Sequence, residues 1–281
     1  MYGKVRRNCH DSLPTMHGFT DVDRHPDPNS WVAVLDRLTE EPFYQAYQQR
    51  VRELLHPAPG RHYLEVGAGT GANAAKLEDD HDVSVATLDH AQTMSTAMRA
   101  RGLTQCAVAD AHRLPFLSFS FDGAWADRTV QHLADPHAAI TEIIRVVRPG
   151  GRVVLADPDY DTQVLDIADQ GLARRVLRFR ADVLLRNGAL AHQHAGLLAA
   201  HGLVDITVEP RTLLVRNPTA VDNVLGLRSW AATAAQRGTL DPTEARAFED
   251  QFDDAVSARR FTYAVTFFLT AATVNGNATT R

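Results

Sequence analysis

Two spacings of apolar residues alternate along the chain. Short apolar runs, Tyr63–Val66, Val83–Leu88, Cys106–Ala109, Phe121–Ala126 and Arg152–Ala156, read as strands. Helical spacing fills the stretches between them, notably around 73–77, over 91–101 and over 138–147, where Ile140, Ile143, Ile144 and Val147 share one side. Gly102 and the Pro149-Gly150-Gly151 run stop two of these helices. Short strands alternating with helices predict a parallel sheet covered on both faces. Right-handed crossovers then bring every strand's carboxyl end to one edge.

The flanks change the pattern. Trp31, Val34, Leu35 and Leu38 share a helical face, and Phe43, Tyr47, Val51, Leu54 and Leu55 continue it after Pro42. Residues 1–28 have no period and read as a flexible arm. Beyond Asp157 the alternation breaks. Residues 163–187 and 192–201 read as helix, 204–209 as a strand extended past Pro210 through 212–215, 219–259 as helix, and 262–269 as a last strand. The expected fold class is α/β, with a doubly wound, mostly parallel sheet of seven strands. The expected domain is 29–281, with a core at 60–158. Helices at 29–56, 160–187 and 217–259 are expected to form a cap over the sheet's edge.

Composition narrows the classes. With 281 residues, 44% apolar and 22% charged, the chain can bury a large core and is not disordered. A net charge of −5 disfavours nucleic acid and anionic membranes as partners. No apolar run is long enough to span a membrane, and no apolar run follows Lys4, Arg6 and Arg7 as in a signal peptide, so a cytoplasmic location is expected. Cys9 and Cys106 are too few for a cysteine-rich zinc site.

The chemistry gathers at strand ends. Glu65, Asp89, Asp110, Asp127 and Asp157 lie at or just after the five strand ends, on the rim where ligands bind in open α/β sheets. Gly67, Gly69 and Gly71 form a turn between a strand and a helix that lets backbone approach a ligand closely. Gly67-x-Gly69-x-x-Ala72 with Asp89 downstream also satisfies a dinucleotide fingerprint, so the turn alone indicates only an adenosine-type ligand. Asp157-x-Asp159-x-Asp161 lacks the glycine and glutamate of a calcium loop, which places Thr162 and Ala168 there instead. No metal is expected.

Several motifs in order carry a resemblance. They are Leu64-Glu65-Val66-Gly67-Ala68-Gly69-Thr70-Gly71, Leu88-Asp89-His90, Ala109-Asp110-Ala111-His112-Arg113-Leu114-Pro115-Phe116, Phe121-Asp122, Gln131-His132-Leu133 and Val147-Arg148-Pro149-Gly150-Gly151. Together they resemble class I S-adenosylmethionine-dependent methyltransferases of the ubiquinone/menaquinone-biosynthesis type, over about Tyr63 to Asp157. The resemblance implies S-adenosylmethionine as cofactor. It implies Glu65, Gly67, Ala68, Gly69 and Gly71 near the methionyl and ribose parts, and Asp89 with His90 at the ribose. Asp110, Ala111 and Met94 would lie at the adenine, and Asp127 and Arg128 where cofactor and acceptor meet. It is also similar to bacterial tailoring methyltransferases of secondary metabolism, which implies a small-molecule acceptor.

An in-line methyl transfer depends mainly on alignment and water exclusion. A base is needed only where the acceptor must lose a proton, and His132 is the candidate, with a loop-shaping role as its rival. His112, His192 and His194 are lesser candidates, the last two read as surface residues two apart on a helix. Arg50 or Arg52 could reach the rim or simply face solvent. Tyr44 and Tyr47 could close over the pocket or pack in the core. Trp230, Phe248, Phe252, Phe179 and Tyr160 are candidate acceptor-chamber aromatics, each with core packing as the alternative. A nicotinamide oxidoreductase would need a catalytic pair such as Tyr-x-x-x-Lys, which is absent. A non-catalytic cofactor-binding protein is the other alternative.

Overall fold

The computed structural model describes residues 21–218 and 226–276. The strands are β1 (Arg61–Val66), β2 (Val83–Asp89), β3 (Cys106–Val108), β4 (Phe121–Asp127), β5 (Val147–Leu165), β6 (Val204–Val215) and β7 (Tyr263–Thr273). They form one sheet in the order β3-β2-β1-β4-β5-β7-β6. β1 to β5 pair in parallel, while β7 runs antiparallel to both β5 and β6. The strand order reverses at β1, which is flanked by β2 and β4, and the crevice beyond such a reversal is the ligand-binding place of this architecture.

The helices are α1 (Asn29–Glu40), α2 (Pro42–Leu54), α3 (Ala72–Asp80), α4 (Gln92–Ala100), α5 (Pro136–Val146), α6 (Gln170–Phe179), α7 (His194–Ala200), α8 (Trp230–Gln236) and α9 (Pro242–Ser257). Because the central strands are covered on both sides, side chains of both parities are buried. Leu64, Val66, Ala124, Ala126 and Leu155 pack with Ile140, Ile143 and Leu198 on one face. Tyr63, Val85, Trp125 and Val154 pack with Tyr47, Val51, Leu77 and Met98 on the other. α5 begins where Asp135 accepts from the Ala138 N–H at 3.0 Å and Pro136 takes the first turn.

Several segments depart from the sequence expectation, among them residues 237–241, which break the helix expected over 219–259 into α8 and α9. β5 continues to Leu165, so residues 163–165 are strand and not helix: Asp157–Asp159 pair with Thr266–Phe268, and Val164 and Leu165 with Ala264 and Tyr263. Pairing with a long partner overrides the local helical pattern. α6 starts only at Gln170, with Asp169 accepting from the Leu172 N–H at 2.9 Å, and it ends in a π-helical turn, Arg180–Leu184.

Residues 21–28 are anchored, not loose. Asp23 caps α4 by accepting from the Gln92 and Thr93 N–H groups at 2.7 and 2.9 Å, and Val22 is buried. The remainder of the expected arm, and residues 219–225 of the expected 217–259 helix, lie outside the described residues. Pro210 sits in β6 as expected; this strand pairs only with β7, and an edge strand tolerates a missing donor. Among the described residues no helix is long and apolar enough to cross a membrane.

Candidate functional site

A cavity of about 930 Å³ opens above the carboxyl ends of β1 to β4 and beside Pro158 and Tyr160 in the middle of β5. Glu65, Gly67, Ala68, Gly69, Asp89, His90, Met94, Asp110, Ala111, Asp127, Arg128 and His132 all line it, so twelve positions singled out in sequence meet in one place. Gly71 does not. At φ +74° it turns the chain into α3, and the side chains of Leu103 and Met98 leave no room for a Cβ. Its requirement is packing against α4 and its following turn.

The glycine turn is rigid. Gly67 and Ala68 donate to the Leu88 carbonyl at 2.8 and 2.9 Å. The Asp89 carboxylate accepts from the Gly69 and Ala91 N–H groups, both at 3.0 Å, locking the ends of β1 and β2 together. A Cβ on Gly67, at φ +69°, would run into Thr129. The Thr129 hydroxyl donates to the Asp127 carbonyl at 3.0 Å, so β4 sets how closely the turn can be approached.

Glu65 is buried beside it. The register that places Glu65 opposite Trp125 lets the indole N–H donate to Oε1 at 2.9 Å, and the Ala74 N–H donates to Oε2 at 3.1 Å. Burial, reinforced by the nearby Asp127 charge, raises the Glu65 pKa to about 8. Across the turn, Asp110 accepts from the His112 backbone N–H at 2.9 Å and from Nδ1 at 2.5 Å. His112 Nε2 accepts from the Asp135 N–H at 3.1 Å, which assigns the ring proton to Nδ1. These bonds hold the Asp110 carboxyl below its usual range.

The other half of the cavity is walled by side chains. Tyr47 donates to the Asp127 carboxylate, 3.0 and 3.2 Å from its two oxygens, and Gln48 donates to Oδ2 at 2.9 Å. Burial raises the pKa of the Tyr44 and Tyr47 hydroxyls. Arg128 occupies the left-handed region at φ +51°, a conformation costing a non-glycine residue about 1–3 kcal/mol. Its N–H donates to the Ala156 carbonyl at 2.7 Å, and its guanidinium lies 5.1 Å from the centre of the Tyr44 ring. His132 ends a 3-10 turn, Val130–His132. Asn187 braces that turn: its N–H donates to the Gln131 carbonyl at 3.0 Å, and its side chain to the Val130 and Leu133 carbonyls at 3.2 and 2.8 Å. Tyr160, Leu184, Arg186, Trp230 and Phe267 complete this wall.

Other candidates fall outside. Arg50 pairs with Glu209 and Glu53 at 2.6 and 2.9 Å, away from the rim. Arg52 donates to Asn73 Oδ1 at 2.5 Å and so positions a cavity residue. Tyr44 lines the cavity, whereas Tyr47 acts behind it through Asp127. Phe179, Phe248 and Phe252 are core residues. His192 and His194 are not a surface pair. His194 is fully buried, with Nε2 3.7 Å from Asp157, and burial lowers its pKa to about 4; His192 bonds Asp159 at 2.5 Å. Asp157 is therefore buried below the rim. Gln48, Asn73, Thr129 and Asn187 escaped the sequence reading. Tyr44, Gln48 and Arg52 recur four apart on α2, and polar groups at that spacing on a buried face are the signal that would have found Gln48. Among the described residues no cluster of three or more His, Cys, Asp or Glu converges to hold a metal ion.

Comparison with known proteins bears on this site. A family profile described as "Methyltransferase domain" matches residues 64–155, the segment holding the glycine turn and the acidic rim. An uncharacterized 37.1 kDa protein in a transposon of Streptomyces fradiae is 33% identical over 274 residues, which covers 95% of this chain and 77% of that protein. An O-methyltransferase of Pyrenophora dematioidea is 35% identical over 157 residues, 53% of this chain and 57% of that enzyme. The chain thus spans little more than half the length of that enzyme. Among solved structures, that of the cyclase SpnF matches with a TM-score of 0.53 at 25% identity, covering 83% of this chain and 82% of that one.

Proposed function

We infer the reaction from one premise: this chain belongs to the S-adenosylmethionine-dependent methyltransferases. S-adenosylmethionine is its cofactor, and the described residues fit that group. Gly69 lines the cavity without a side chain, where a Cβ would stand 3.0 Å from Leu35, another lining residue, and the adjoining carboxylates suit a ligand rich in donors and positive charge. Glu65 would take the ammonium, Asp89 the ribose hydroxyls, and Asp110 the adenine amino group, with Met94 against the base. When bound, the cofactor supplies an electrophilic methyl group on a sulfonium.

The chain's residues then do the rest. Asp127 and Arg128 lie where the two halves of the cavity meet, and Tyr47 and Gln48 hold Asp127 in place. The helices α1, α2 and α8 act as a cap that excludes water from the acceptor. His132 accepts the proton of an acceptor hydroxyl, and Asn187 keeps its turn in place. The proposed acceptor is a small molecule methylated on oxygen, in bacterial secondary metabolism. The O-methyltransferase relative supports methylation on oxygen. One observation carries it: a single cavity joins the glycine turn to an aromatic chamber. Titration with S-adenosylhomocysteine tests it directly, with one site per chain expected and no binding as the contrary result.

A second reading comes from the match to a cyclase. A shared fold can host different reactions. Isotope-labelled methyl donor separates the two readings. Label appearing in an acceptor supports transfer; product formation with the donor intact supports the alternative.

A further inference from the structure

Arg180 is fully buried in the π-helical turn that follows α6. Among the described residues no carboxylate pairs with its guanidinium, and none of its nitrogens makes a well-aligned hydrogen bond. The acids near it in sequence are engaged elsewhere, since Asp161 and Asp182 both pair with Arg178. The neutral Tyr263 hydroxyl lies within its reach as an acceptor and itself donates to Gln163 at 3.0 Å, so it brings no counter-charge. The guanidinium instead lies 4.0 Å from the centre of the Trp230 ring and 4.5 Å from that of Tyr160. Both rings line the cavity.

A buried cation without a carboxylate is costly to a fold. An aromatic face attracts cations through its negative quadrupole. Tyr160 and Trp230 already spend that attraction on Arg180, so they form a wall poorly suited to a second cation. Arg128 and Arg186 also line the cavity, whereas Glu65, Asp89 and Asp110 sit at its glycine-turn end. Asp127 accepts from Tyr47 and Gln48 and pairs with Arg128 at 3.7 Å, so the positive bias of the chamber comes from Arg180 and Arg186. The chamber is flat-walled, apolar and positively backed.

We propose that the acceptor is an aromatic or polyunsaturated molecule bearing an anionic oxygen, such as a carboxylate or an acidic phenol, and that the chamber discriminates against ammonium acceptors. Arg186 meets the anion at the cavity surface, and Arg180 biases the chamber's potential from behind the two rings. This rests on the methyltransferase reading for the position of the chamber.

Three matched probes test it: naphthoate, methyl naphthoate and naphthylmethylammonium, titrated into the full chain saturated with S-adenosylhomocysteine. Naphthoate is expected to bind at least about tenfold tighter than the ammonium probe, with the ester between them. Arg186→Gln is expected to weaken naphthoate about fivefold while S-adenosylhomocysteine affinity stays unchanged. Arg180→Met should raise the melting temperature, because a lone buried charge is removed, and should narrow the preference for naphthoate. If Arg180→Met fails to fold, Arg186→Gln alone carries the decision. Equal or tighter ammonium binding, absent naphthoate binding, or a preference unmoved by the variants overturns the proposal. Failure of S-adenosylhomocysteine to bind would instead defeat the methyltransferase reading.

Discussion

At one end of the cavity, groups fixed by the sheet do the work: N–H donors, bare glycine Cα atoms and carboxylates within two residues of a strand's carboxyl end. At the other end, side chains from α2, α8, the π turn and the turn after β4 do it. The first end is held by bonds between adjacent strands and the turns that leave them, such as Asp89 to Gly69 and Ala91. The second is held by contacts between residues far apart in sequence, such as Tyr47 to Asp127 and Asn187 to Val130. Chemistry is constrained where backbone builds the wall and free to vary where side chains do. A cofactor common to many reactions suits the backbone-built end, and the acceptor suits the end whose walls can be exchanged without disturbing the sheet.

Breaking the backbone-built end should have the largest effect. Asp89→Ala is expected to weaken S-adenosylhomocysteine about 300-fold in calorimetric titration, the loss of two charge-assisted hydrogen bonds of roughly 1.5–2 kcal/mol each. Breaking the other end should leave that affinity alone. His132→Ala is expected to lower turnover about 100-fold with cofactor affinity within about twofold, which stopped-assay kinetics beside titration can separate. Unchanged turnover would return His132 to a structural role.

The pH dependence sharpens the contrast. Glu65 is raised from 4.5 to about 8, so the free folded protein holds a proton there at neutral pH. An ammonium ligand favours the ionised form. Binding should therefore strengthen with pH by up to about tenfold per unit from about 6 to about 8, then level off. Glu65→Gln should remove this slope. Stability runs the other way. Above 4.5 the unfolded chain has lost a proton that the folded chain keeps, so this group makes stability fall as pH rises toward about 8.

Two smaller effects complete the series. Asn187→Ala should lower stability by about 1–2 kcal/mol in thermal denaturation and reduce turnover more than cofactor affinity, because it loosens the turn carrying His132. Arg50→Gln should cost less than about 1 kcal/mol in the same assay, since its partners lie at the surface.

The first end was largely legible in sequence. The strand β1, its glycine turn and the acids Asp89 and Asp110 follow one another locally, so period and spacing place them. The strand order and the antiparallel pairing of β7 come from long-range pairing, which periodicity does not encode. For the same reason residues 163–165 read as helix yet pair as strand. His192 and His194 read as surface residues because two positions apart on a helix do not face one another, and it is the packing of α7 on the sheet, with Nε2 3.7 Å from Asp157, that buries His194. Thr129 and Asn187 carry no spacing signal at all. Their roles come from carbonyls that the chain presents only once β1, β4 and the 186–188 turn meet.

A structure determined with S-adenosylhomocysteine tests the central claim most directly. The nucleoside is expected above Gly67–Gly69, its ribose at Asp89 and its base between Met94 and Ala111, with space left beside Tyr160 and Trp230. A nucleoside lodged against Tyr160 and Trp230, or outside this cavity, would contradict it.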